Sequence, residues 1–458
     1  MNNIELLPAK HLNGIIIPPG DVCIGIAAIL LGSVASGTTR IENIPDSRDI
    51  LEVLEIVRSF KVIWNLNNGI LEIQGLGGSP LISLPDGIKV NSPLVCRLLT
   101  GLLCTRAFVA RIHYAGFNAD DLEGLFGLLG KLGANIKIKD GSVIEMGETQ
   151  PCESSIKLED YLEIHDLTAI FLAASGCRNN IKITMHVPLP AIGENLLTNF
   201  GMTVITAPDS EERTDDPLTK RIRLVQSKIK KPARTKSAQV KEITVETAQG
   251  PSGTQIVLPG NLRLSCPFIL AALICSNSEL LIKDVCLDSN EINFINALKR
   301  MQGNIEIKAS VIKCPIKRGN ITVSSSDLRS RKFSNLQTSS MIWEIPYLAV
   351  AAAFAYDRTI IRDAQKLRQT VPDLLTSTFN NLNRMHVKAG EIEDGLIIEG
   401  GESYDGADFE SSCHFSVGAA FAVAALKCQG KSRLNRADII NSVYPGFFDI
   451  LRNLSKNK

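Results

Sequence analysis

Histidine exchanges protons near neutral pH, and a neighbouring carboxylate can orient or charge it. Three of the six histidines stand in suggestive places. His165 follows Glu163 by two residues, in an acidic stretch that also holds Glu159 and Asp160. His186 closes an Ile-Lys-Ile-Thr-Met run, and His414 heads an apolar, alanine-rich segment. Trp343, beside Glu344, offers a face on which a flat or cationic group could stack. Each also has a plainer reading: satisfied histidines, a solvated helix face at Glu163, an indole that fills a void. Eleven cysteines are scattered without a Cys-x-x-Cys pair, which argues against a zinc site or a thiol–disulfide motif. Cys96, Cys104, Cys275 and Cys428 sit in apolar contexts and read as small buried hydrophobes, a usage that fits a reducing cytoplasm. No metal and no cofactor is expected.

The charge balance narrows the partners. Forty-nine basic against forty-eight acidic residues leave a net charge of +1, without the cationic excess of a nucleic-acid or membrane-surface protein. No apolar run reaches the ~18 residues of a membrane span, and no basic region precedes an apolar block at the N-terminus, so no signal peptide is expected. At 458 residues with 45% hydrophobic content, the chain can bury two large cores.

The elements that would position these residues repeat. An apolar Ala- and Leu-rich helix, a small polar turn and a strand recur six times, from Cys23, Pro93, Asp166, Cys266, Tyr347 and His414. Each copy is followed by an amphipathic helix, as at Leu122, Leu125, Phe126, Leu129 and Leu132, whose three- and four-residue spacing marks one buried face. The first-type helices are apolar all round and should lie inside; alternating strands such as TTRIENI should cover them. Three copies per half predict two similar α/β lobes dividing near Pro259-Gly260. The polar stretch 210–253, with its basic run KIKKPARTK, reads as a solvated loop, or more sharply as a phosphate-contacting one.

The segments PPGDVCIGIAAILLGSVASGTTRIENIPDSRDI from Pro18, LPGNLRLSCPFILAALI from Leu258, WEIPYLAVAAAFAYDRTIIRDAQKLR from Trp343 and NSVYPGFFDIL from Asn441 resemble the enolpyruvyl transferase family. The nearest branch is that of the 5-enolpyruvylshikimate-3-phosphate synthases. The resemblance implies a two-lobed inside-out α/β barrel of six βαβαββ repeats. One lobe would hold residues 18–258 and the other 1–17 with 259–458, with chain crossings near Ile17–Gly20 and Leu258–Gly260. A small polar substrate would enter the interlobe cleft, where helix N-termini favour anions. Neither nucleic acid nor membrane is an expected partner, and the sequence assigns no oligomeric state.

The family's ligand motifs are altered. Its Pro-Gly-Ser-Lys-Ser signature aligns with Pro19-Gly20-Asp21-Val22-Cys23, and Ala27 stands where an arginine is expected. Its Asn-Ala-Gly-Thr-Ala-Met-Arg loop keeps only Asn91 and Arg97, and its next arginine falls at Asp120. Its Ser-Ser-Gln falls at Glu163-Ile164-His165, with a later serine partner near His186. Trp343 replaces its catalytic aspartate, although Glu344 follows as in the family. Its Val-Lys-Glu-Ser-Asp-Arg becomes Gln369 to Leu374, after Arg368 and including Thr370 and Asp373; further cations fall at Ser416 and Ser442. Charge-assisted hydrogen bonds contribute roughly 1.5–3 kcal/mol each. Losing several exceeds the ~8 kcal/mol of a micromolar complex, so phosphoenolpyruvate should not bind.

Other aligned positions gained polar side chains: Asp21, Asp120, Glu163, His165, His186, Arg263, Trp343 and His414. The resulting expectation is an enzyme of this fold repurposed for a different small polar, shikimate-like ring in specialised metabolism. It would use acid–base chemistry: an elimination, isomerisation or cyclisation. His165 and His414 would be acid and base, with Glu163, Asp21 and Glu344 as orienting carboxylates. Asn91, Arg97, Asp120, His186, Arg263, Trp343, Arg368 and Asp373 would bind substrate. Carboxyvinyl transfer by rearranged residues and a non-catalytic binding protein are the alternatives.

Overall fold

The computed structural model describes residues 3–456 apart from 78–83, 85, 107–108, 116–121, 150–152, 159–162, 186–190, 208–209, 212–238, 289, 311–315 and 402. The chain forms two compact units, a first of Val22–Leu258 and a second of Met1–Asp21 with Pro259–Lys458.

Three apolar helices form the interior of the first unit: α1 (Val22–Val34), α3 (Pro93–Leu103) and α4 (Ile164–Ala174), with α2 (Arg48–Ser59) outside them. Every residue of α1 from Cys23 to Ser33 is buried, because no stretch of its surface is polar enough to face water. By contrast α2 buries only Ile50, Val53, Leu54, Ile56 and Val57, one stripe at helical spacing. The α3 and α4 backbones touch: a Cβ on Gly101 would lie 2.4 Å from the Ala169 carbonyl oxygen. Only glycine permits that approach.

The second unit repeats the plan with α5 (Leu262–Ile274), α6 (Ile345–Ala353) and α8 (Phe415–Lys427) at its centre and the amphipathic α7 (Leu374–Arg384) outside. Its core includes Phe268, Tyr347, Phe421 and Phe447, all fully buried.

Six sheets cover these helices among the described residues, and five share one pattern. A strand pairs parallel to the strand after the core helix, which pairs antiparallel with a later strand. Thus Gln255–Val257 runs parallel to Thr38–Glu42, which faces Ile70–Gln74, then Ile63–Asn67. Asn13–Ile16 likewise joins Glu279–Cys286, followed by Arg318–Ser324 and Asn304–Ala309. The last sheet departs from the plan. After Asp408–Glu410 and Ser432–Asn435 the chain continues into helices, and the N-terminal strand Ile4–Leu6 fills the third place antiparallel.

The fold is therefore the two-lobed, inside-out α/β barrel that the repeats predict. One part of the sequence reading needs correction. Within 210–253, Gln239–Val245 is a strand, not a loop, and its alternation buries Ile243 and Val245. The basic run lies outside the described residues.

Candidate active site

A buried polar constellation lies at the N-terminal ends of α5, α6 and α8. Asn261 caps α5, accepting from the Leu264 N–H at 3.3 Å, and so fixes the first turn that carries Arg263. A 3-10 turn, Ile342–Glu344, leads into α6, with Pro346 in its first turn. Those two starts place the Glu344 carboxylate, 3% exposed, 3.5 Å from Arg263 Nε. Glu291 lies 3.6 Å from the same nitrogen. Both contacts are ion pairs longer than a good hydrogen bond, and neither Glu344 Oε1 nor Arg263 Nε makes a hydrogen bond of normal geometry. Burial pushes the Glu344 carboxyl up, Arg263 opposes and Glu291 reinforces, leaving it at about 7.

Beside this pair the aromatic groups are stacked. The Arg263 guanidinium carbon sits 5.8 Å from the centre of the Trp343 ring. His414 lies on that indole with centroids 5.7 Å apart and planes 21° from parallel. His414 is also the N-cap of α8, its Nδ1 accepting from the Ser416 N–H at 3.2 Å. Burial, and then the Arg263 charge, push the imidazole down to about 4. It is neutral at physiological pH, and with Nδ1 accepting, its proton belongs on Nε2.

The first unit holds a second group. Arg97 on α3 donates to Asp166 in the first turn of α4 at 3.1 Å, with each side chain 15% exposed. Burial raises the Asp166 carboxyl to about 6, against Arg97 and with help from Glu163. Glu163 is the exposed N-cap residue of α4, and His165 lies half-buried in its first turn. The segment leading into α3 is held by a carboxylate of the chain. Glu52 of α2 accepts from the Asn91 N–H at 2.7 Å, the Asn91 amide at 3.0 Å and the Ser92 N–H at 3.1 Å.

Other residues named from the sequence have structural duties. Asp373 caps α7, accepting from Leu375 and Thr376 N–H at 2.9 and 3.0 Å. All three nitrogens of Arg368 donate internally, to Glu391 at 2.6 Å and to the Ile392 and Glu393 carbonyls at 2.5 and 2.6 Å. Asp21 donates its N–H to the Pro259 carbonyl at 2.9 Å, and its charge adds to the burial that raises the Cys286 thiol. Asp120 and His186 lie outside the described residues. Glu291, Asp166 and Glu52 were not picked out from the sequence. The signal for Asp166 was present, an acid in the first turn of an otherwise apolar helix; nothing local marks the other two.

Of the positions that the resemblance marks as expected charge losses, Ala27, Leu374 and Ser416 are buried. The Ser442 hydroxyl donates to the Ile439 carbonyl at 2.8 Å. Among the described residues no cluster could hold a metal ion, and no helix is long and apolar enough to cross a membrane.

Comparison with known proteins agrees over nearly the full length. A 3-phosphoshikimate 1-carboxyvinyltransferase of Thermoanaerobacter sp. (strain X514) is 25% identical over 97% of this chain and 98% of its own. One of Synechococcus elongatus is 27% identical over 97% and 94%. A solved EPSP synthase structure from Acinetobacter baumannii superposes with a TM-score of 0.80 at 22% identity, covering 99% of this chain and 98% of that one. A second structure of EPSP synthase from that organism gives 0.80 at 20%. The family model for EPSP synthase (3-phosphoshikimate 1-carboxyvinyltransferase) matches residues 7–215 and 228–451, and the chain therefore belongs to the EPSP synthase family.

Proposed function

We propose that this member of the EPSP synthase family is an enzyme that performs acid–base chemistry on a small polar ring compound without phosphoenolpyruvate. The observation that carries the reading is Glu344: a buried carboxyl at about 7, ion-paired to Arg263, beside a neutral imidazole and an indole face. A group at that pKa is present in both protonation states at neutral pH, as a proton-transfer residue requires.

The roles differ from those first assigned by residue type. Glu344, first read as an orienting carboxylate, takes a proton from a ring carbon. Returned at another carbon, that proton completes an isomerisation; with loss of a neighbouring hydroxyl as water, the reaction is an elimination. His414, first read as acid or base, is held neutral and supplies its Nε2–H to an oxygen on which negative charge develops. Trp343 supports the ring, and Arg263 orients Glu344. The arginines named as substrate binders support a ligand that is not a bis-anion: Arg97, Arg263 and Arg368 are each paired with carboxylates of the chain.

Carboxyvinyl transfer is the second reading, supported by the full-length match to proteins bearing that name. A thermal-shift screen of hydroxylated ring acids and their amines, followed by turnover assays on any stabilising compound, tests the first. Glu344→Gln should slow turnover by about a hundredfold or more, the scale of general acid–base catalysis. Full activity in that variant would remove Glu344 from the proton transfer.

A further inference from the structure

Arg263 is shared between two acids. Its Nε faces the Glu344 carboxylate at 3.5 Å and the Glu291 carboxylate at 3.6 Å. A guanidinium given wholly to one carboxylate closes to about 2.7–2.9 Å with two parallel bonds. Held between two, Arg263 closes on neither, and both its Nε and Glu344 Oε1 lack a hydrogen bond of normal geometry. Two carboxylates about one guanidinium also leave one negative charge unmatched. Burial makes such a charge costly, and one bound proton removes it. That proton belongs on Glu344, 3% exposed, rather than on Glu291 at 17%.

The fold fixes Glu291 in this place. It stands at the head of the helix Ile292–Arg300, where its carboxylate makes no capping bond and is left for Arg263. That helix buries Phe294, Ile295, Ala297 and Leu298, and the Phe294 ring lies against Tyr347 of α6 with centroids 5.9 Å apart. The packing ties Glu291 to the helix that Glu344 precedes. Other titratable groups around the trio are neutral. Burial raises the Cys266 thiol and the Tyr347 hydroxyl well above their ordinary values, and it lowers the His414 imidazole. Charges on the remaining packed elements are engaged or solvated. Arg368 pairs with Glu391, Arg384 with Glu410 and Glu399 with Arg358. Lys299, Arg300, Lys366 and Lys427 are exposed. Asp21 and Asp288 act with Glu291 on Cys286, and Asp288 is paired with Lys317.

We propose that Glu291 is a positioning residue of the proton transfer: it holds Arg263 off Glu344 and so keeps the shared proton on the carboxyl that works on the substrate. The inference rests on the reading of Glu344 as the proton-transfer group. The charges agree with this division of Arg263: burial raises the Glu344 carboxyl most, Arg263 lowers it and Glu291 raises it. Without Glu291, Arg263 is free to close on Glu344, and the repulsion between the two carboxylates is gone. Both changes favour the charged form of Glu344.

The test is a carbon-detected NMR titration of the Glu344 carboxyl in the full chain, its signal assigned by its loss in Glu344→Gln. The wild-type midpoint should lie at about 7. Glu291→Gln should move it down by about one pH unit or more, whereas Glu291→Asp, which keeps the charge, should stay closer to wild type. If Glu291→Gln does not fold, Glu291→Ser removes the charge while supplying a better N-cap. An unchanged or raised midpoint without the Glu291 charge, or an equal fall in Glu291→Asp, would overturn the proposal. The titration needs no substrate, so its result is independent of whether Glu344→Gln slows turnover. Once a substrate is found, turnover should rise with pH through the Glu344 midpoint, and in Glu291→Gln that rise should come at lower pH. A rise that stays in place while the titration moves would overturn the role in proton transfer.

Discussion

Glu344 and His414 sit within one cluster, yet burial moves them in opposite senses, because it penalises the charged form of each. The Glu344 carboxyl is raised from 4.5 to about 7, so the folded chain holds a proton that the unfolded chain has released. Its contribution to stability is therefore present below pH 4.5 and is lost as pH rises through about 7. The His414 imidazole is lowered from 6.5 to about 4, so its contribution is present above 6.5 and is lost as pH falls through about 4. Thermal unfolding followed from pH 4 to 9 should accordingly show a loss toward alkaline pH that Glu344→Gln removes. Carbon-detected NMR should find the His414 ring unchanged between pH 5.5 and 8. An imidazole titrating near 6.5 would mean that Nδ1 is not held by the α8 N-terminus.

At the scale of elements, the close contact of α3 and α4 sets the Arg97–Asp166 pair. Gly101 lies one turn along α3 from Arg97, and its Cα faces the Ala169 backbone, one turn along α4 from Asp166. A methyl group there would lie 2.8 Å from the Ala169 Cα, and neither backbone can yield without separating the helices. Gly101→Ala should destabilise the first unit by about 1–3 kcal/mol or more and weaken the ion pair, visible as a lower denaturant midpoint and a shifted Asp166 titration. An unchanged midpoint would show that the helices slide apart without cost. These elements were largely legible beforehand. The all-round apolarity of Cys23–Val34 and the single stripe of α2 dictate inside and outside without knowledge of the fold. Less legible was Gln239–Val245, where Lys241 and Glu242 in a polar stretch conceal an alternation that only its pairing with Ile181–Met185 makes into a strand.

For the whole molecule, the six repeats and the order of family-like segments carry the architecture, because each repeat states its own helix and strand. The site is different in kind. Residue type suggested His414 as acid or base, but its tautomer follows from a backbone N–H two residues on, and Glu344 is tuned by Glu291 and Arg263 from other helices. Such pairings come from the three-dimensional arrangement and leave no local trace. Nor could the sequence reveal that Glu52 holds the residues leading into α3, although the resemblance marks Val22, Ala27, Leu374 and Ser442 as positions of expected charge loss. The proposed function, with its expected charge losses and internally paired arginines, has one direct consequence. Calorimetric titration with phosphoenolpyruvate, alone and with 3-phosphoshikimate, should give no saturable heat at millimolar concentration. A saturable isotherm with either combination would contradict the account and return the chain to carboxyvinyl transfer.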